Sequence, residues 1–183
     1  MGYEVALTKA YSDLKAIAEK DLYSIRFLGD EYEMDLEKKR ILSLSCNIPA
    51  PAYISILLLH YLKKRLAGLP ALRNEWIAFQ QLIGGQGYYP AFKKRAIDRI
   101  VRKYGEKPDA ILGLLERFKA KRVQLADISI VIEVFDDIPI LIELWKGDDE
   151  FGPSADILFD KNIDDIFCTE DVAVLAESLV SSI

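Results

Sequence analysis

The chain has 183 residues, 51% of them hydrophobic, 29% charged and 10% aromatic, with a net charge of -5. That apolar content suffices for one compact core, and no apolar run approaches the ~18 residues a membrane span needs. Composition excludes collagen-like and disordered classes, and two cysteines are too few for a disulfide scaffold.

Residues 1–20 mix Glu4, Lys9, Asp13, Lys15 and Glu19 with apolar positions, which a secretory leader would not tolerate, so a cytoplasmic chain is expected. Leu7, Ala10, Tyr11, Leu14, Ala18 and Leu22 fall near helical spacing and predict an amphipathic helix over 3–22. A β-meander follows. Ile25 and Phe27, then Tyr32, Met34 and Leu36, alternate with polar residues around Gly29-Asp30, and 41–44 supply a third strand. Pro49 and Pro51 suit the start of a helix that Gly68 ends, after Lys63, Lys64 and Arg65. Its stripes, Ile54, Leu57, Leu58, Tyr61, Leu62 and Tyr53, Ile56, His60, place it between two layers.

Residues 76–82 read as a short strand leading into Gly84-Gly85-Gln86-Gly87, and Pro90 as the start of the next helix. That helix sets Ile97, Ile100, Val101 and Tyr104 on one face and Arg95, Arg99, Arg102 on the other. Gly105 and Pro108 separate it from another helix through about Phe118. The strongest hairpin signal is 128–145, alternating on both sides of Asp136-Asp137, with a further strand over 155–159. Thr169 is the expected cap of a last helix whose buried face is Val172, Leu175, Ala176, Leu179, Val180 and Ile183. The expected fold is α+β: a mostly antiparallel sheet built from hairpins, packed with about five helices, in a single domain over 1–183.

Charge is segregated along the chain: 93–122 carries 11 Lys+Arg against 4 Asp+Glu, and 123–183 carries 2 against 15. The two regions either neutralise each other across the fold or face different partners. No base-reading module is present and the whole chain is acidic, so nucleic acid is an unlikely partner by this reading.

Candidate chemistry is thin. The glycine loop lacks both the Gly-Lys-Ser/Thr ending of a P-loop and a full dinucleotide fingerprint, although Lys93, Lys94 or Arg95 would favour an anion near a helix start. His60, the one imidazole, reads first as a hydrogen-bonded interior residue and second as a general base or ligand. Asp148, Asp149, Glu150, Asp156 and Asp160 do not match a calcium loop and read as solvated acids, so no metal is assigned. Glu133 and Glu143 on the long hairpin would act as acid and base only if their face were covered. Cys46 and Cys168 read as reduced, buried thiols.

The motifs Phe27-Leu28-Gly29, Leu59-His60-Tyr61, Trp76-Ile77-Ala78-Phe79, Tyr88-Tyr89-Pro90-Ala91-Phe92, Trp145 with Asp148-Asp149-Glu150-Phe151, and Thr169-Glu170-Asp171 form a set. On these the chain resembles a family of uncharacterised domains, known only as a domain of unknown function, found in anaerobic bacteria and archaea. Some members carry an added N-terminal iron-sulfur segment with four cysteines, which this sequence does not show. The resemblance implies a setting in anaerobic one-carbon or corrinoid metabolism and assigns no activity.

Together these readings favour binding of a small ligand or cofactor of unknown identity, with an anion preferred, near His60, Trp76, Gly84, Gly85, Tyr88, Tyr89, Arg95 and Trp145. A protein-docking module using the arginine stripe or the acidic end is the alternative, and an enzyme using Glu133, Glu143 or His60 comes third.

Overall fold

The computed structural model describes residues 2–183. Helix α1 (Gly2–Lys15) buries Ala10, Tyr11 and Leu14 and packs along α2 (Ala52–Ala67). It stops well short of the expected end at Leu22, because Leu22 opens strand β1 (Leu22–Phe27), opposite Asp35. Strand pairing across the meander overrides the helical spacing of that residue.

The meander continues through β2 (Asp30–Asp35) and β3 (Arg40–Ser43), both antiparallel. Leu28 and Gly29 both take positive φ, 51° and 80°, which is the twist a two-residue hairpin needs. The hairpin tip is anchored outside its own sheet: the Leu28 N–H donates to the Val134 carbonyl at 2.9 Å. That contact falls at an irregularity between Glu133 and Phe135, where β6 loses register with its neighbour.

Helix α2 begins after Pro51 and ends at Gly68, whose φ is 100°. Leu57, Leu58, Tyr61 and Leu62 are buried, while Tyr53 is 43% exposed and His60 half-buried, so one flank of the helix is open rather than sandwiched as expected. Tyr61 stacks on Phe135 at 4.2 Å between ring centres, and Phe135 stacks on Phe27 at 4.5 Å. This column ties α2, the small sheet and the large sheet into one core. Burial pushes the Tyr61 hydroxyl up to about 12, and it donates to the Asp136 carbonyl at 3.0 Å.

The large sheet is antiparallel, in the order β4 (Trp76–Ala78), β8 (Ser154–Asp160), β7 (Ile138–Trp145), β6 (Ile128–Phe135), β5 (Ala120–Val123). The expected strand over 76–82 is cut at Ala78, where a single 3-10 turn, Phe79–Gln81, takes over. Pro90 does not open its helix: α3 (Gly85–Phe92) starts earlier, continues through a π-turn at Lys93–Ile97, and leads into α4 (Asp98–Tyr104). Pro90 sits one turn inside, where few intrahelical amide bonds are lost, and the backbone widens just beyond it. The helix expected through Phe118 is a 3-10 segment, Pro108–Glu116. Strand β5 and the single turn α5 (Ile163–Ile166) carry too little periodic signal to be expected; they bring the described α-helices to six.

Helix α6 (Thr169–Ser182) buries the expected face, but Cys168 and not Thr169 is its N-cap. The Thr169 hydroxyl instead donates to the Ile83 carbonyl at 2.6 Å, which pins the chain before α3 to the start of α6.

Candidate functional site

A groove of about 1060 Å³ runs between the β1–β2 hairpin, the start of α2, the start of α3 and one flank of α6. Two stripes create it. Val172, Leu175, Ala176 and Leu179 turn one face of α6 into the core, while Thr169, Glu170, Ala173, Val174 and Glu177 recur at helical spacing along the groove. The small Ala173 and Val174 leave room, and Tyr3, Tyr32, Tyr53 and Tyr88 supply flat walls around them. Ile83 stands 88% exposed at the rim. Burial and the neighbouring Asp30 carboxylate raise the Tyr32 hydroxyl above its ordinary range, so it remains a hydrogen-bond donor.

Arg95 is the one basic side chain among the lining residues. It lies in the π-turn, whose extra residue shifts the angular order of the helix by roughly a quarter turn. Its guanidinium donates to the Tyr88 hydroxyl at 2.8 Å and lies 3.6 Å from the Glu177 carboxylate. With Asp30, Glu170 and Glu177 also in the wall, acids outnumber the single cation. Arg95 is not in the first turn of a helix, because α3 begins ten residues before it, yet it lines the same groove as Gly84, the N-cap of α3.

Of the eight candidate residues, the structure therefore brings Gly84, Tyr88 and Arg95 together in the groove. Gly85 lies beneath: a Cβ there would stand 2.0 Å from the Phe79 carbonyl oxygen, so only glycine permits the tight turn into α3. Tyr89 leans on Phe92 at the edge of the core. Trp76 and Trp145 belong to the large sheet, on β4 and β7. His60 joins α2 to α6 away from the lining residues: its Nδ1 lies 2.8 Å from Asp171 Oδ2, with the imidazole 37% exposed and the carboxylate 12%. Asp171 lies in the first turn of α6, where the helix dipole favours a carboxylate. This is the orientation an Asp–His pair uses to present the other ring nitrogen, although no lining residue of the groove belongs to it.

The remaining candidates separate. Glu133 pairs with Arg26 at 3.0 Å and with Lys119, whereas Glu143 lies four residues along from the Glu133 partner Pro139 on β7, so the two carboxylates do not form an acid–base pair. Asp160 is buried and accepts the Arg73, Asn74 and Asn162 amides, and Asp148 accepts those of Glu150 and Phe151. Among the described residues no three His, Cys, Asp or Glu side chains are grouped to hold a metal ion. Cys46 and Cys168 are exposed rather than buried. Partial shielding from water and the Asp171 carboxylate raise the Cys168 thiol, against the pull of the α6 amides, which disfavours the thiolate.

The segregated charges do meet. Helix α6 has no basic residue in its last turn, and the basic segment supplies it: Arg99 donates to Ser181 Oγ at 3.1 Å, Arg117 to the Ser182 carbonyl at 3.1 Å, and Lys103 to the Ile183 carbonyl. These cations satisfy carbonyls that a helix end leaves without partners and complement its negative pole.

The family described as Domain of unknown function (DUF3786) matches residues 7–182. The chain belongs to that family. No curated protein and no solved structure matches the chain. The match spans every lining residue of the groove except Tyr3. Tyr32, Tyr53 and Glu177 line the groove without having been sequence candidates; the second stripe of α2 and the polar stripe of α6 carry a signal for Tyr53 and Glu177, and the alternation of β2 alone carries none for Tyr32.

Proposed function

We propose that this DUF3786 domain binds a small organic ligand in the groove. The observation that carries the reading is a tyrosine-walled groove of about 1060 Å³ whose basic group, Arg95, is already aimed by Tyr88 and Glu177. A concave, largely apolar site with few convergent polar groups is the usual form of a small-molecule site. The acid excess of the wall favours a neutral or cationic ligand, with a flat body between Tyr53 and Tyr88, over the anion that the sequence suggested. The cellular setting proposed with it, cytoplasmic and anaerobic, rests on the charged opening helix and the family resemblance; no described helix is long and apolar enough to cross a membrane.

The docking alternative draws on the Arg95, Arg99, Arg102 stripe or on the acidic C-terminal region; within the stripe, Arg95 and Arg99 already contact Glu177 and Ser181. Native mass spectrometry of protein purified without oxygen tests the reading. A stoichiometric small-molecule adduct, retained by the wild type and lost from Arg95→Ala and Tyr53→Ala, is the expected result. A bare polypeptide mass, together with a partner complex that dissolves as salt rises, would replace ligand binding with docking.

A further inference from the structure

The outer face of the large sheet carries a second, independent feature. Glu143 on β7 lies directly opposite Asp156 on β8. Directly opposed side chains on one face of an antiparallel pair stand about 5 Å apart, so two like charges there repel. Glu143 is only 9% exposed. Burial and the Asp156 carboxylate dominate its surroundings, burial alone those of Asp156, and no cation offsets either. Among the described residues no side-chain polar atom is both sealed from solvent and without a partner, so the buried Glu143 side chain opens its carboxylate to the face.

The neighbours explain why the pair is left unmatched. Across β6, Ser129 stands opposite Glu143, but its hydroxyl donates to the Val123 carbonyl at 2.9 Å and accepts the Leu125 amide at 3.1 Å. Lys119 and Arg26 are taken by Glu133, and Lys121, opposite Val131 on the same face, pairs with neither carboxylate. On one side of the pair lie Leu141 and Leu158, opposite each other, and on the other Trp145, opposite Ser154. Leu141 is fully buried yet stands apart from the main core cluster, so these side chains form an apolar surround of their own on the outer face. A carboxylate on a mostly buried side chain, set beside a like charge and without a partner, favours an opposite charge or a proton.

We propose that Glu143 and Asp156 form a binding site for an organic cation, a guanidinium or ammonium group. Two carboxylates side by side match the paired donors of a guanidinium, and Trp145, Leu141 and Leu158 suit a weakly hydrated cation with an apolar stem. A divalent metal fits less well, because no third acidic, histidine or cysteine ligand joins them. The cation comes either from a free small molecule or from a Lys or Arg side chain of a partner.

The test is an NMR titration of the full chain at mildly alkaline pH, reading the Trp145 indole and the Glu143 and Asp156 amides. The probes are N-acetyl-arginine methylamide, its neutral citrulline analogue, a short peptide carrying two arginines, and magnesium chloride. Saturable shifts with the arginine probe, absent with citrulline and weakened about tenfold in Glu143→Gln and in Asp156→Asn, are expected. A peptide that binds about tenfold more tightly than the monomer assigns the cation to a partner protein, and equal affinities to a free ligand. No saturation with the arginine probe, equal shifts from citrulline, or saturation by magnesium alone would overturn the proposal, leaving a shared proton or a metal in its place. Both variants swap oxygen for nitrogen at constant shape, and dispersed amide spectra confirm that they remain folded.

Discussion

The groove side of the molecule and the outer face of the large sheet treat charge in opposite ways. Around the groove and the end of α6, acids and helix carbonyls meet cations from the basic segment: Glu177 meets Arg95, and the last carbonyls of α6 meet Lys103 and Arg117. On the outer face, two carboxylates of one hairpin part company. Glu133 holds two cations, whereas Glu143 faces another acid. Sequence distance does not account for the difference, since both glutamates alternate with apolar residues in the same manner. Register does: Glu133 falls beside the bulge where Arg26 of the small sheet arrives, and Glu143 falls where β8 brings Asp156. Among these buried or half-buried carboxylates, the opposed pair on the outer face is the one the fold leaves without a cation.

The largest expected effect breaks the groove side. Gly85→Ala drives a methyl into the Phe79 carbonyl, and thermal or urea denaturation should show a loss of about 3 kcal/mol or more, or no folded protein. Full stability in that variant would mean that the turn into α3 is not built as described. Next is Glu133→Gln, which strips Arg26 and Lys119 of their shared partner. These cations are partly exposed, so the loss should be about 1 kcal/mol by urea denaturation, shrinking with added salt.

The matched change on the same hairpin has the opposite sign. In Glu143 and Asp156 the folded state raises the carboxyl above its ordinary range, so the folded form prefers the proton. Their contribution is therefore present below the unfolded carboxyl range and lost as pH rises through the raised folded values. Glu143→Gln should remove that loss, gaining about 0.5–1 kcal/mol at neutral pH, with little change in strong acid. Denaturation curves across pH would decide it, and a destabilised Glu143→Gln at neutral pH would show that a cation of the protein itself pairs with Glu143. The smallest effect sharpens the helix-end half of the comparison. Lys103→Met keeps the stem and removes the charge at the end of α6, and should cost about 0.3–1 kcal/mol in low salt.

Much of the secondary structure was legible because it rests on local periodicity. The two hairpins, α2 between Pro51 and Gly68, and the buried stripe of α6 follow from alternation, helical spacing and turn residues. Where the reading failed, a nonlocal contact had won. Leu22 joined β1 because Asp35 offered a partner, and α3 began at Gly85 because the chain folds back on the Phe79 carbonyl. Thr169 left the cap position to bond the Ile83 carbonyl, a residue far away in sequence.

The candidate site shows the same division. Arg95, Tyr88 and Gly84 lie within one segment, and local reasoning placed them together. Trp76, Trp145 and His60 were grouped with them by residue type alone, and tertiary packing sends the tryptophans to the large sheet and the histidine to Asp171. Composition and periodicity by themselves determined an α+β chain with strong hairpins, an apolar central helix and segregated charge. Which acid meets which base was decided only by the fold, because strand register and helix crossing set the few-ångström separations on which charge interactions depend.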